Sequence, residues 1–303
     1  MGKELKIVMC GCHEYGYYLT QGLIEAGVRF SHFVVLNPQQ NERYQISGYH
    51  YLADVAQEHG IPVYEPTEYS LQHSSDLGFF AEHRFDLLIQ GGWQRLFPQA
   101  VLDTLSIGAV GVHGSADLLP KGRGRSPLNW SLIEGKKRFL LQLFLMKPGT
   151  DDGDIFDYDE FDINEYDNIR TLYFKNIMLT KRMLLRSLPS LASGSYRAMP
   201  QLGMPSYYTK RTPEDGLINW ETMDVFQIHN LIRATTRPYP GAFGILEGDM
   251  CRIWKAQIFD TRILYPSAAY GDVVERFGRF LVVNCLGGLL GVEEYEPMHL
   301  SEA

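Results

Sequence analysis

Short apolar runs alternate with amphipathic stretches through the first half of the chain. Leu5 to Cys10 (LKIVMC) reads as a buried strand, and His32–Leu36, Pro62–Tyr64, Asp86–Gln90 and Ile107–His113 repeat the pattern. Tyr15 to Ala26 has helical spacing and stops at Gly27, a residue suited to the left-handed backbone beyond a helix end. Tyr49 to Glu58 is a second helix. Strand and helix in turn predict an open, mainly parallel α/β sheet of Rossmann-like form. Ser126-Pro127 then opens another helix: Ser as cap, and Pro at the first position, where its missing N–H costs nothing. That helix should stop at Gly135, and Phe139–Met146 is a further strand. From Asp167 to Leu188 the residues Ile169, Leu172, Tyr173, Leu179, Met183 and Leu188 recur at roughly helical spacing, so one long helix is expected, ended by Pro189 and Gly194.

Residues 198–212 hold three prolines and no clear period, the composition of a linker. Beyond it, Thr222 is placed to cap a short amphipathic helix closed by Pro238. Residues 242–296 are strand-like runs split by glycines, which suggests a small, partly open β-barrel of OB-like form. The expected organisation is a catalytic domain over 1–203 and a small β-barrel domain over 204–303.

Composition narrows the partners. The chain has 303 residues, 45% hydrophobic, with a formal net charge of −8. Acids outnumber bases and no dense basic tract appears, which argues against a nucleic-acid partner. No apolar stretch approaches the ~20 residues that span a bilayer, and the N-terminus lacks the apolar core of a secretory signal, so a cytoplasmic protein without a membrane partner is expected. The 4 cysteines are scattered and read as reduced, packed thiols, and no metal site is expected.

In an open parallel sheet, ligands bind beyond the carboxyl ends of the strands. Three features fall there: the turn Gly92 to Pro98, the loop beginning at His113, and the acidic turn Asp151-Asp152-Gly153-Asp154. The first strand–helix turn, Gly11 to Gly16, departs from G-x-G-x-x-G, which weakens a nicotinamide-dependent reading. A strand-end His joined to an Asp would make an acid/base unit, the carboxylate orienting the ring.

The stretch Val112-His113-Gly114-Ser115, followed two residues later by Leu118-Leu119-Pro120-Lys121-Gly122-Arg123-Gly124-Arg125-Ser126-Pro127, resembles the signature H-x-S-L-L-P-x-x-R-G-x-x-P of the 10-formyltetrahydrofolate-dependent formyltransferases. Asp151 to Ile155 matches that family's D-x-G-D-I. Ile218-Asn219-Trp220, Ile228–Ala234 and Arg237–Phe243 resemble the second domain of its methionyl-tRNA and amino-sugar members. The resemblance implies a Rossmann-like domain followed by a small β-barrel, and transfer of a formyl group from N10 of the folate co-substrate to an amine. Carried over, His113 is the acid/base and oxyanion partner, and Asp151 sets its orientation. Trp93, Leu96 and Phe97 would wall the pterin, and the backbone of Lys147 to Asp151, Gly149 included, would pair with its edge. Ser115, Arg123 and Arg125 are the candidate acceptor contacts, the arginines as phosphate ligands.

One position departs from the pattern. Where the family has Asn-x-His, this chain has Gly111-Val112-His113. Losing an oxyanion donor costs about 2.7–4 kcal/mol in the transition state. Three explanations stay open: another donor (Asn129 or a water), an acceptor that fills the space beside Gly111, or loss of formyl transfer in a folate- or nucleotide-binding homologue. The expected acceptor is a nucleotide-linked amino sugar, with another small-molecule or peptide amine as the alternative. A homodimer through the second domain is the assembly considered.

Overall fold

The computed structural model describes residues 4–298. The chain forms two compact units. The first takes in the chain up to Gly124, Leu140–Phe161 and Phe174–Tyr207; the second takes in Arg125–Phe139, Asp162–Tyr173 and the chain from Tyr208 onward.

The first unit is built on a seven-stranded sheet of β1 (Ile7–Gly11), β2 (His32–Val35), β3 (Val63–Tyr64), β4 (Leu87–Gly91), β5 (Gly108–Ser115), β7 (Arg138–Leu145) and β8 (Asp154–Asp162), in the order β3-β2-β1-β4-β5-β7-β8. Two-residue strands β6 (Arg123–Gly124) and β9 (Tyr207–Tyr208) lie outside it. Strands β1 to β5 pair in parallel, and β7 runs antiparallel to β5. Strands β1, β2 and β4 are almost wholly buried, which explains their continuous apolar runs.

At the switch point between β1 and β4 the backbone is packed too closely for side chains. A Cβ on Gly11 would meet the Gly91 carbonyl oxygen at 2.6 Å, and one on Gly16 would meet it at 2.1 Å. These glycines let the helix Glu14–Glu25 lie against β4, a use of glycine unrelated to phosphate binding. His13 caps that helix, its Nδ1 accepting the Tyr15 N–H at 3.0 Å.

Several local expectations need correction. The long helix runs Ile169–Ser193 and passes through Pro189. Its stop is Gly194, left-handed at φ 69, with the Ser195 N–H on the Ser190 carbonyl and the Gly194 N–H on Leu191. Helix Pro127–Ile133 starts at Pro127, but Ser126 is itself left-handed and its hydroxyl makes no capping bond. In the second unit the helix Val225–Thr235 is capped by Asp224 in a capping box with Gln227, and not by Thr222. Helices Pro38–Tyr44 and Ser74–His83 were not anticipated.

Where a small, partly open β-barrel is expected, the second unit carries an antiparallel sheet formed by β10 (Ala242–Leu246), β11 (Asp249–Asp260), β12 (Val273–Phe277), β13 (Phe280–Cys285) and β14 (Gly288–Pro297), in the order β10-β11-β14-β13-β12. Glu247 and Gly248, both at positive φ, make the two-residue turn between β10 and β11. Val225, Ile228 and Ile232 of the helix share one core with Ile253, Val283 and Leu290 of the sheet.

All four cysteines are free and buried, as read from their spacing; burial pushes the Cys12 thiol up to about 11, against the lowering effect of its Tyr69 hydrogen bond. Among the described residues no helix is long and apolar enough to cross a membrane, and no cluster of three or more His, Cys, Asp or Glu could hold a metal ion.

The packing at the switch point yields the first prediction. A methyl group at Gly16 has only backbone to push against, so Gly16→Ala should destabilise the chain by about 1–3 kcal/mol. Urea unfolding checks this; an unchanged midpoint would show that the helix and β4 separate freely.

Candidate active site

His113 is the sixth residue of β5 and lies just past the last residue of the neighbouring β4. Its ring is buried, with 7% exposed. Nε2 lies 2.7 Å from the Gly122 carbonyl oxygen, which can only accept, so Nε2–H donates there. Nδ1 lies 3.4 Å from Asp151 Oδ2. The strand-end imidazole and the acidic-turn carboxylate, 38 positions apart in the chain, therefore meet. Nε2 is hydrogen-bonded, and Nδ1 faces the carboxylate.

Asp151 reaches this place through an unusual backbone. Its φ is 49, in the left-handed region, which Asp adopts more readily than most residues. Gly153 lets the same turn fold flat onto β7: a Cβ there would meet the Leu145 carbonyl oxygen at 1.9 Å. The Gly124 N–H also donates to Asp151 Oδ2, at 3.2 Å.

The turn is pinned by Gln201, from the stretch read as linker. Its Nε2 donates to the carbonyls of Asp151 at 2.7 Å and Gly153 at 2.8 Å. Its Oε1 accepts from Arg123 Nη2 at 2.6 Å and Nε at 3.2 Å. Arg123 thus braces the turn, and most of its guanidinium is engaged inside the protein. Nearby, the Ser206 hydroxyl accepts the Gly122 N–H at 2.9 Å, and the Ser206 carbonyl accepts the Arg123 N–H at 2.9 Å.

Other expected site residues fall as follows. The Ser115 hydroxyl closes its own loop, donating to the Asp117 carbonyl at 2.6 Å and accepting the Asp117 N–H at 3.1 Å, so it is engaged before any acceptor arrives. Arg125 is exposed. Trp93 and Phe97 are buried in the apolar cluster beneath the sheet, Trp93 edge-on to Tyr69 at 4.8 Å, and serve there as core. Leu96, 52% exposed, is the apolar side chain of that turn which stays open. Residues 147–150 are exposed; Lys147 Nζ pairs with Asp154 Oδ1 at 2.8 Å, and Gly149 leaves room for the Asp152 carboxylate. Asn129, in the second unit, is 1% exposed and donates from Nδ2 to the Ala234 carbonyl at 2.8 Å. One hydrogen of that amide therefore has a structural task.

The space beside Gly111 is filled. A Cβ there would meet Phe144 Cζ at 2.6 Å, Phe144 Cε2 at 2.8 Å and Met146 Cγ at 3.0 Å. Phe144 is the direct cross-strand partner of Gly111 and is 2% exposed. Its ring occupies the place of the missing side chain, so the acceptor does not.

The chain matches family descriptions in both parts. Residues 38–188 match "Formyl transferase" and residues 210–302 match "Formyl transferase, C-terminal domain". It is 30% identical over 292 residues to methionyl-tRNA formyltransferase of Lactobacillus acidophilus, covering 96% of this chain and 90% of that one. The chain belongs to the formyltransferase family. Solved structures share the fold. An N-formyltransferase from Helicobacter canadensis, in complex with folinic acid and dTDP-3-aminofucose, superposes with a TM-score of 0.68 at 15% identity, over 95% of this chain and 99% of that one. HypX from Aquifex aeolicus in complex with tetrahydrofolic acid gives a TM-score of 0.65 at 16% identity, over 98% of this chain and 45% of that one. This formyltransferase is accordingly a transferase, with the mixed α/β sheet and separate antiparallel sheet of its family.

Sequence reasoning missed Gln201 because its segment has no periodicity. Phe144 was read only as part of a strand.

Two predictions follow from the geometry. Gly111→Asn should destabilise this formyltransferase by about 1–3 kcal/mol, because the Phe144 ring cannot yield without moving the core. Phe144→Ala added to it should recover part of that loss, and a double-mutant cycle by urea unfolding measures the coupling. Gln201→Ala should lower turnover roughly 10–100-fold by loosening Asp151, since misplacing a positioned group by about 1 Å costs a factor of that order. Steady-state kinetics beside a thermal melt tests it; full turnover would show that the turn holds without Gln201.

Proposed function

We propose that this formyltransferase moves the formyl group of 10-formyltetrahydrofolate to the amine of a nucleotide-linked amino sugar. The observation that carries the reading is the buried His113 ring held against Asp151 at the carboxyl end of β5. The folate supplies an activated formyl group on nitrogen; the chain's own residues bind, orient and move the proton.

A folate fits the groups present. Residues 147–150 are exposed next to Asp151, where their backbone could pair with the hydrogen-bonding edge of a flat ring, and Leu96 offers exposed apolar surface. In the reaction a bond forms between the acceptor nitrogen and the formyl carbon, and the bond from that carbon to N10 breaks. The acceptor nitrogen loses one proton, and N10 gains one. His113 carries that proton on a ring nitrogen, and Asp151 fixes the orientation of the ring. Because Nε2–H rests on the Gly122 carbonyl, the productive state exchanges this contact for one with the substrate.

The amino-sugar acceptor is favoured by the net charge of −8 and the lack of a dense basic tract, and by likeness to the enzyme that carries dTDP-3-aminofucose. A second reading, formylation of methionyl-tRNA, is favoured by the 30% identity with a methionyl-tRNA formyltransferase. The proposed location is the cytoplasm.

The test supplies isotope-labelled 10-formyltetrahydrofolate with nucleotide-linked amino sugars in one arm and methionyl-tRNA in the other. The wild type should formylate the sugar amine, and His113→Ala should lose at least about 100-fold in rate, the scale of a removed general acid/base. Label on methionyl-tRNA alone would select the second reading. A His113→Ala variant with normal turnover would remove His113 from the chemistry.

A further inference from the structure

We propose that the carboxamide of Gln142 is the hydrogen-bond donor that receives the formyl oxygen. The inference rests on the formyl-transfer reading and adds a residue to it. In the pairing of β5 with β7, Gln142 stands directly opposite His113. Directly opposed residues put their side chains on one face of a sheet, with Cβ atoms roughly 4.5–5.5 Å apart. The two side chains therefore leave the sheet on the same face from neighbouring positions.

Gln142 has no exposed surface. Its orientation is decided by its neighbour: the Leu119 N–H, which can only donate, meets Oε1 at 2.8 Å. Nε2 is then the free end, and it is buried with no hydrogen-bond partner. Proteins seldom keep a buried N–H group without an acceptor. Its chain neighbours Leu140, Leu141, Leu143 and Phe144 are apolar, and accepting the Leu119 N–H uses only the oxygen of the carboxamide. An unmet donor retained on the face that carries the acid/base ring points to an acceptor that arrives with the substrate.

Formyl transfer brings such an acceptor. As the acceptor nitrogen bonds to the formyl carbon, the carbonyl pair moves onto oxygen, and it returns when the bond to N10 breaks. A donor placed at that oxygen lowers the barrier, and removing one costs about 10²–10³ in kcat. Position 111 has no side chain to give, and Phe144 fills its place. On this face the carboxamide stands one register row along, on the neighbouring strand. Gln142 donates hydrogen bonds only and exchanges no proton.

The experiment binds 10-formyl-5,8-dideazafolate, labelled in the formyl carbon, to the full chain and reads the bound carbonyl stretch by infrared difference spectroscopy, which needs no acceptor. Three proteins are compared: wild type, Gln142→Met, and Gln142→Glu at pH 8. The glutamate keeps an oxygen for the Leu119 N–H and lacks the amide hydrogens, so it separates the donor from the brace. The expected result is a higher carbonyl frequency in both variants, affinity for the formylfolate within about threefold of wild type, and turnover lowered about 100-fold. An unshifted frequency in Gln142→Glu overturns the proposal, and that variant decides alone should Gln142→Met fail to fold. Failure of the wild type to bind any formylfolate is a different result: it removes the formyl-transfer reading and this inference with it.

Discussion

The site depends on the reversal of direction between β5 and β7. Strands β1 to β5 are parallel, and a sixth parallel strand would have needed another crossover. The antiparallel partner instead lines up residues in rows on one face: Ser115 with Leu140, His113 with Gln142, Gly111 with Phe144. It also sends the chain out of β7 into the short turn that carries Asp151. The same pairing thus sets the neighbours of the imidazole and delivers the carboxylate. A slip of one residue would turn His113 away from that face.

Within these rows, a missing side chain and a large one stand opposite each other. Gly111 vacates a side-chain place, and the Phe144 ring takes it and joins Leu119 and Ile155 in a small buried cluster. Met146 packs against this cluster and against the one holding Trp93 and Phe97. The aromatic turn after β4 is therefore tied into the packing behind the site, which explains why Trp93 and Phe97 act as core while Leu96 remains outside.

Much of the fold was legible in the residues. The strands of the parallel region are continuous apolar runs, and burial on both faces demands such runs, so their positions follow closely. The His113 and Asp151 motifs could be read as a pair through family resemblance, and the 3.4 Å contact between them accords with that. What periodicity could not convey are contacts made by single polar residues at long range. Gln201 lies 50 positions from Asp151 in a segment with no pattern, and its amide alone does the work. Arg123 and Ser115 carry side chains suited to a ligand, yet nearby carbonyls and a glutamine use them first. Pro189 breaks the usual rule because the helix has a stronger stop five residues later, in a glycine able to turn left-handed.

The segment after the long helix has a further consequence for the chemistry. Gln201 holds the backbone of Asp151, and Ser206 holds the backbone of Gly122, whose carbonyl caps the other nitrogen of His113. Both partners of the imidazole are thus fastened to one short stretch of chain, 201–206. Movement of this stretch alters both contacts of the ring together, whereas movement of either loop alone strains the other. Glycines at 122 and 124, both at positive φ, give the loop that carries the Gly122 carbonyl a backbone able to change course. On the proposed acid/base role of His113, the Gly122 contact of Nε2 is the one a substrate would replace, while Gln201 keeps the backbone of Asp151 in place.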